Sequence, residues 1–112
     1  MKPIDVACGT ATHEGRRRTV NEDSLLASAP LFLVADGMGG HDAGDRASAA
    51  VVEEFAALVG RDSIGIDDMR AALRRARVRV GAIASGARAA GTTLTGVAVS
   101  EVGGVGYWLT IN

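Results

Sequence analysis

The stretch Leu31 to Leu58, LFLVADGMGGHDAGDRASAAVVEEFAAL, changes character twice along its length. It opens with an apolar run, Leu31 to Ala35, that stops abruptly at Asp36, and such a run predicts a buried strand. Asp36 to Gly44 then carries four glycines among charged residues, which predicts a specially shaped loop rather than regular structure. Beyond it, Ala47, Ala50, Val51, Phe55 and Leu58 recur at three- and four-residue spacing, with Arg46, Glu53 and Glu54 elsewhere on the wheel. That is a helix with one apolar face, and Gly60 supplies its stop.

Upstream, Ser24 to Ala27 is a second short apolar run, separated from Leu31 by Ser28, Ala29 and Pro30, so the two runs read as strands joined by a tight turn. Glu14 to Asn21 is charged and reads as a loop. Ile4 to Thr12 alternates small apolar and polar residues and predicts a strand with one face on a core; Cys8, inside it, is expected to pack as a small hydrophobe. Downstream, a second helix is predicted between Asp67 and Gly91. Its apolar stripe is Met69, Leu73, Ala76, Val80, Ile83 and Ala87, while Arg70, Arg74, Arg75 and Arg77 form a solvated face. Thr92 to Glu101 and Val105 to Ile111 are β-branched and alternating, and Gly103 with Gly104 reads as their hairpin turn. Strands, loop, two helices and strands in that order predict an α+β fold, with both helices on one face of a mostly antiparallel sheet.

With 112 residues, 47% of them apolar, the chain is long enough for one packed core. A formal net charge of −1 excludes a global positive field, so neither nucleic acid nor an anionic membrane surface is an expected partner. No window approaches the ~18 apolar residues of a membrane span, and a cytoplasmic location is the expectation. A single cysteine excludes an internal disulfide and any multi-cysteine zinc site.

Two acidic clusters stand out, Glu22 with Asp23, and Asp36 followed by Gly37. A carboxylate delivered from the end of a buried strand needs a partner, because burying an unpaired anion costs several kcal/mol, and a divalent cation is one group that compensates it. Gly37 would let a backbone carbonyl approach the same ion, and hard cations such as Mg²⁺ or Mn²⁺ prefer such oxygen ligands. The glycines do not form a dinucleotide fingerprint, since Asp42 stands where its third glycine would be, and no lysine follows to make a P-loop. His41 and His13 are read as solvent-exposed loop histidines.

Four segments in fixed order resemble the PPM-type, or type 2C, metal-dependent serine/threonine protein phosphatases, particularly their bacterial branch. They are Gly15 to Ser24 (GRRRTVNEDS), Val34 to Ser48 (VADGMGGHDAGDRAS), Gly91 to Val99 (GTTLTGVAV) and Val105 to Asn112 (VGYWLTIN). The resemblance implies part of a four-layer α/β-sandwich-β/α architecture, with residues 1–112 as the N-terminal portion of one domain. It implies two divalent cations, Mn²⁺ or Mg²⁺, at the edge of the sandwich: Asp36 as the carboxylate shared by both, Gly37 offering its carbonyl oxygen, and Glu22 or Asp23 holding metal-bound waters, with Glu22 preferred. Arg18, four residues before Glu22, stands where the family keeps its phosphate-binding arginine, ahead of Arg16 and Arg17. The implied reaction is hydrolysis of phosphoserine or phosphothreonine by a metal-activated water, with no covalent intermediate. Phosphoproteins are the implied substrates, in a signalling pathway opposing a protein kinase.

Two departures bear on this. Met38 occupies the position where some relatives keep a histidine, which leaves the general acid unassigned. The later aspartates that complete the family's metal sites are absent from these residues, so weakened metal binding and little catalysis by the chain alone are expected. Uncovered strand edges would call for a dimer or a partner chain. A non-catalytic module that keeps the fold as a binding or regulatory surface is the alternative reading.

Overall fold

The computed structural model describes residues 4–40, 42–86 and 89–112. The two apolar runs form an antiparallel hairpin, β1 (Asp23–Ser28) and β2 (Leu31–Gly39), turning at Ala29 and Pro30. Helix α1 (Ala43–Ala56) follows, then α2 (Ile66–Gly86), a three-residue strand β3 (Ala90–Thr92), and a second hairpin of β4 (Thr95–Val102) and β5 (Val105–Ile111). Gly103 and Gly104 turn that hairpin at φ of 60° and 77°, a backbone region that disfavours side chains with a Cβ. The sheet order is β1-β2-β4-β5, with β3 also on β2, and every pairing is antiparallel. Both helices lie on one face, so the α+β reading holds, and the described residues make two layers, one sheet and one helix pair.

Burial explains the layering. Leu31, Leu33 and Ala35 alternate inward along β2 and meet Val51, Phe55 and Leu58 of α1 and its exit, with Ile64, Met69, Ala72 and Ala76 completing the core. Phe55, Leu31 and Ile64 are the largest wholly buried apolar side chains, each contributing roughly 1.5–3 kcal/mol through burial. The α2 start is fixed reciprocally: Asp68 accepts the Gly65 N–H at 3.0 Å, while the Met69 N–H donates to the Gly65 carbonyl at 3.2 Å. Arg75 and Arg79 reach across to Glu53 and Glu54 of α1, at 2.7 to 3.5 Å.

Several expectations need correction. Ile4 to Thr12 forms no strand; it crosses the outer face of the sheet without ladder hydrogen bonds, because an alternating segment becomes a strand only when an edge accepts it. Cys8 is accordingly exposed, beside a groove of about 750 Å³ that the segment forms with Leu25, Phe32 and Trp108. The Leu31 to Ala35 run is buried on one face only, since Val34 is 55% exposed: helices cover a single side of the sheet. The expected loop at Asp36 is still strand, β2 running on to Gly39 because β1 and β3 pair with it there. Gly91 is not the stop of α2 but part of β3, opposite Met38. His41 and Ala87 lie outside the described residues.

Candidate metal and phosphate site

The site residues meet where β1 begins and β2 passes Asp36. Asn21 starts β1 by accepting the Asp23 N–H on its Oδ1 at 3.0 Å, and its amide donates to Thr12 Oγ1 at 2.7 Å, tying down the preceding loop. Asp23 then pairs with Asp36 across the ladder. The hydrogen bonds of the Asp36 N–H and carbonyl both go to Thr93, on the other side of β2. Asp23 and Asp36 are therefore a non-hydrogen-bonded antiparallel pair, the kind whose side chains come closest.

Two carboxyls forced together repel unless a proton or cation intervenes. Desolvation in the hollow, then the charge of Asp36 and a hydrogen bond with it, push the Asp23 carboxyl above its ordinary value, against a smaller downward pull from Arg18. Asp36 itself is exposed, contrary to the expected delivery from a buried strand end: its side chain lies on the face opposite the helices.

The partly buried carboxylate is Glu22, with its side chain 19% exposed. Its Oε2 is buried with no hydrogen-bond partner, lying against Gly44 in the first turn of α1, where the positive end of the helix favours an anion. Only glycine fits at that contact: a Cβ at residue 44 would collide with this oxygen and come 2.8 Å from the Met38 nitrogen. Gly37 is equally constrained, a Cβ there falling 2.7 Å from the Glu22 carbonyl oxygen. That carbonyl accepts two hydrogen bonds, from the Gly37 N–H at 3.2 Å and from Ser48 Oγ at 2.7 Å. Ser48 has one hydroxyl hydrogen, so with that hydrogen on Glu22 the Ser24 hydroxyl, 2.8 Å away, is its donor.

Arg18 stands over the same place, with its guanidinium 3.9 Å from Glu22 and two thirds exposed, a contact too loose to immobilise it. Arg18, Glu22, Asp23 and Asp36 line one hollow of about 200 Å³ together with His13 and Asn21. His13 is engaged locally, its Nδ1 accepting the Gly15 N–H at 2.9 Å. Arg17 lines only the adjoining hollow, and Arg16 neither of the two.

The donor set suits a hard divalent cation in its chemistry: side-by-side carboxyls at Asp23 and Asp36, an orphaned carboxylate oxygen at Glu22, and a glycine beside Asp36. Among the described residues no three acidic, imidazole or thiol side chains converge on one point. Any ion would lean on backbone oxygen and water for the rest of its shell. Sequence reasoning missed Asn21, Ser48 and Thr93 as the groups that position these acids. Ser48 carried a signal, a hydroxyl on the apolar face of α1; Thr93 carried none, since a threonine between strands is ordinary.

No protein-family model matches the chain. Among curated proteins, the serine/threonine protein phosphatase PstP of Mycobacterium tuberculosis is 52% identical over 44 residues, which are 39% of this chain and 9% of that protein. The crystal structure of Mycobacterium tuberculosis PstP/Ppp superposes with a TM-score of 0.77 at 33% identity, over 90% of this chain and 44% of that one. The catalytic domain of PstP in complex with two manganese ions gives 0.75 at 28% identity, over 88% and 52%. The chain thus spans about half the length of the solved relatives it matches. Its fold is that of part of a PPM-type serine/threonine phosphatase domain.

Proposed function

We propose that residues 1–112 are the N-terminal portion of a metal-dependent phosphatase domain that hydrolyses phosphoserine and phosphothreonine in proteins. The observation that carries this reading is the Asp23–Asp36 carboxyl pair sharing one hollow with Arg18. Two divalent ions, Mn²⁺ or Mg²⁺, would supply Lewis acidity and acidify the attacking water when bound. Asp36 would bind both, Gly37 would add its carbonyl oxygen, and Glu22 and Asp23 would orient coordinated water. The exposed Arg18 guanidinium would grip the oxygens of the phosphoryl dianion and release them with the product. Met38 has no proton to give, which leaves the general acid unassigned.

The PstP catalytic domain with two manganese ions supports this assignment of metal, and a cytoplasmic signalling role opposing a protein kinase fits the substrate class. The apolar outer face of the sheet calls for cover by a second copy or a partner chain. A non-catalytic binding module is the competing reading, favoured by the lack of three converging ligands among the described residues.

Hydrolysis of p-nitrophenyl phosphate and of a phosphothreonine peptide separates the two. It should be measured with Mn²⁺, with and without chelator, on this chain and on a longer form carrying any further residues its gene encodes. Chelator-sensitive turnover in the longer form supports the phosphatase; its absence in both forms leaves the binding module.

A further inference from the structure

Asp36 lies opposite a break in the sheet. Val34 pairs with Thr95 and Gly37 with Thr92, so one register runs through both ladders and sets Asp36 opposite Thr93 with no residue inserted on either strand. Regular pairing at that position would exchange two backbone hydrogen bonds. Only one forms, from the Thr93 N–H to the Asp36 carbonyl at 2.9 Å. In place of the other, the Asp36 N–H donates to the Thr93 side chain, Oγ1, at 3.1 Å. The Thr93 carbonyl has left the ladder and accepts the Thr92 hydroxyl at 2.8 Å. A side-chain oxygen has replaced a backbone carbonyl at one point of the sheet, and that point holds the residue whose carboxyl crowds Asp23.

We propose that Thr93 is a positioning residue for Asp36: its hydroxyl satisfies the Asp36 N–H while its carbonyl stays out of the ladder, and this fixes the peptide from which the Asp36 carboxyl projects beside Asp23. Without the side-chain oxygen of residue 93, the Asp36 N–H loses its acceptor, and the strand at Asp36 loosens and shifts. The consequence for metal binding rests on the reading of Asp36 given above. The consequence for the Asp36 peptide does not.

The test compares the chain with its Thr93→Val, Thr93→Ser and Asp36→Asn variants, first by metal-free amide hydrogen exchange at Asp36 and then by Mn²⁺ titration. Valine keeps the shape and removes the acceptor; serine keeps the acceptor. The Asp36 amide should exchange about five-fold faster or more in Thr93→Val, and at close to the parental rate in Thr93→Ser. Mn²⁺ affinity should fall about ten-fold in Thr93→Val and recover in Thr93→Ser. Parental exchange in Thr93→Val, or a serine variant that behaves like the valine one, overturns the proposal. Should Thr93→Val fail to fold, Thr93→Ala, which adds no bulk at this exposed position, is read the same way. If the parent binds no Mn²⁺, or Asp36→Asn binds it equally well, the metal reading fails while the metal-free exchange still decides the role of Thr93.

Discussion

Leu31 to Ala35 and Asp36 to Gly39 are successive halves of one strand, yet different forces hold them. In the first half, Leu31, Leu33 and Ala35 face α1 and α2 and are held by burial, a force without direction that tolerates any side chain of similar size. In the second half there is almost no apolar surface to bury, and the backbone is held by directional bonds from Thr93, by the Glu22 carbonyl, and by close approach at Gly37. The first half sets stability and the second sets geometry. A substitution that affects one should leave the other nearly untouched.

The largest effect on the first half is expected from Phe55→Ala, which empties the centre of the helix–sheet core and should cost about 3–5 kcal/mol, read by urea denaturation. Mn²⁺ bound with parental affinity by the variant's residual folded fraction would sharpen the division. Asp36→Asn is its mirror image. In a form that turns over substrate, it should lower kcat by two or more orders of magnitude, on the order of what loss of a metal-bridging charge removes, with an unchanged melting temperature. Near-normal turnover would refute the assignment of Asp36.

Ser48→Ala tests where the halves join, since Ser48 is wholly buried in α1 and holds the Glu22 backbone. A loss of about 1–2 kcal/mol is expected, with Mn²⁺ affinity falling as well, because the hydrogen bond belongs to both regions. The smallest effect is that of Asp68, far from the site, whose carboxyl is held below its ordinary value by the Gly65 N–H and then by Arg61. A carboxyl with a lowered folded-state pKa stabilises the fold above its unfolded value of 3.8, and that contribution disappears as pH falls through the folded value. Asp68→Ala should therefore lower the melting temperature at neutral pH and make no difference in strong acid. A gap that persists at low pH would mean that packing, not charge, holds the start of α2.

The elements found without coordinates were those whose signal is local. The α1 stripe from Ala47 to Phe55 and the Gly103–Gly104 hairpin follow from periodicity and turn chemistry, and both stand in the structure. Ile4 to Thr12 shows the limit of that logic: alternation describes what a strand needs, not whether the segment meets a sheet edge or, as here, crosses the sheet's outer face. The same limit shortened β2 in the sequence reading, since glycines at 37 and 39 argue for a loop until β3 is seen to pair with them.

At the site, residue types and spacing singled out Glu22, Asp23, Asp36 and Gly37 as candidates, and the family resemblance added Arg18. Which acid stands beside Asp36 depends on the register between β1 and β2, a contact between residues thirteen apart that no local pattern encodes. The roles of Ser48 and Thr93 depend on distances of the same kind, 26 and 57 residues along the chain. Composition and periodicity determined the elements and the chemistry available to them, because those properties reside in neighbouring residues; only the packed sheet decided which oxygens meet, because hydrogen bonds and charge repulsion act over a few ångströms of space whatever the separation in sequence.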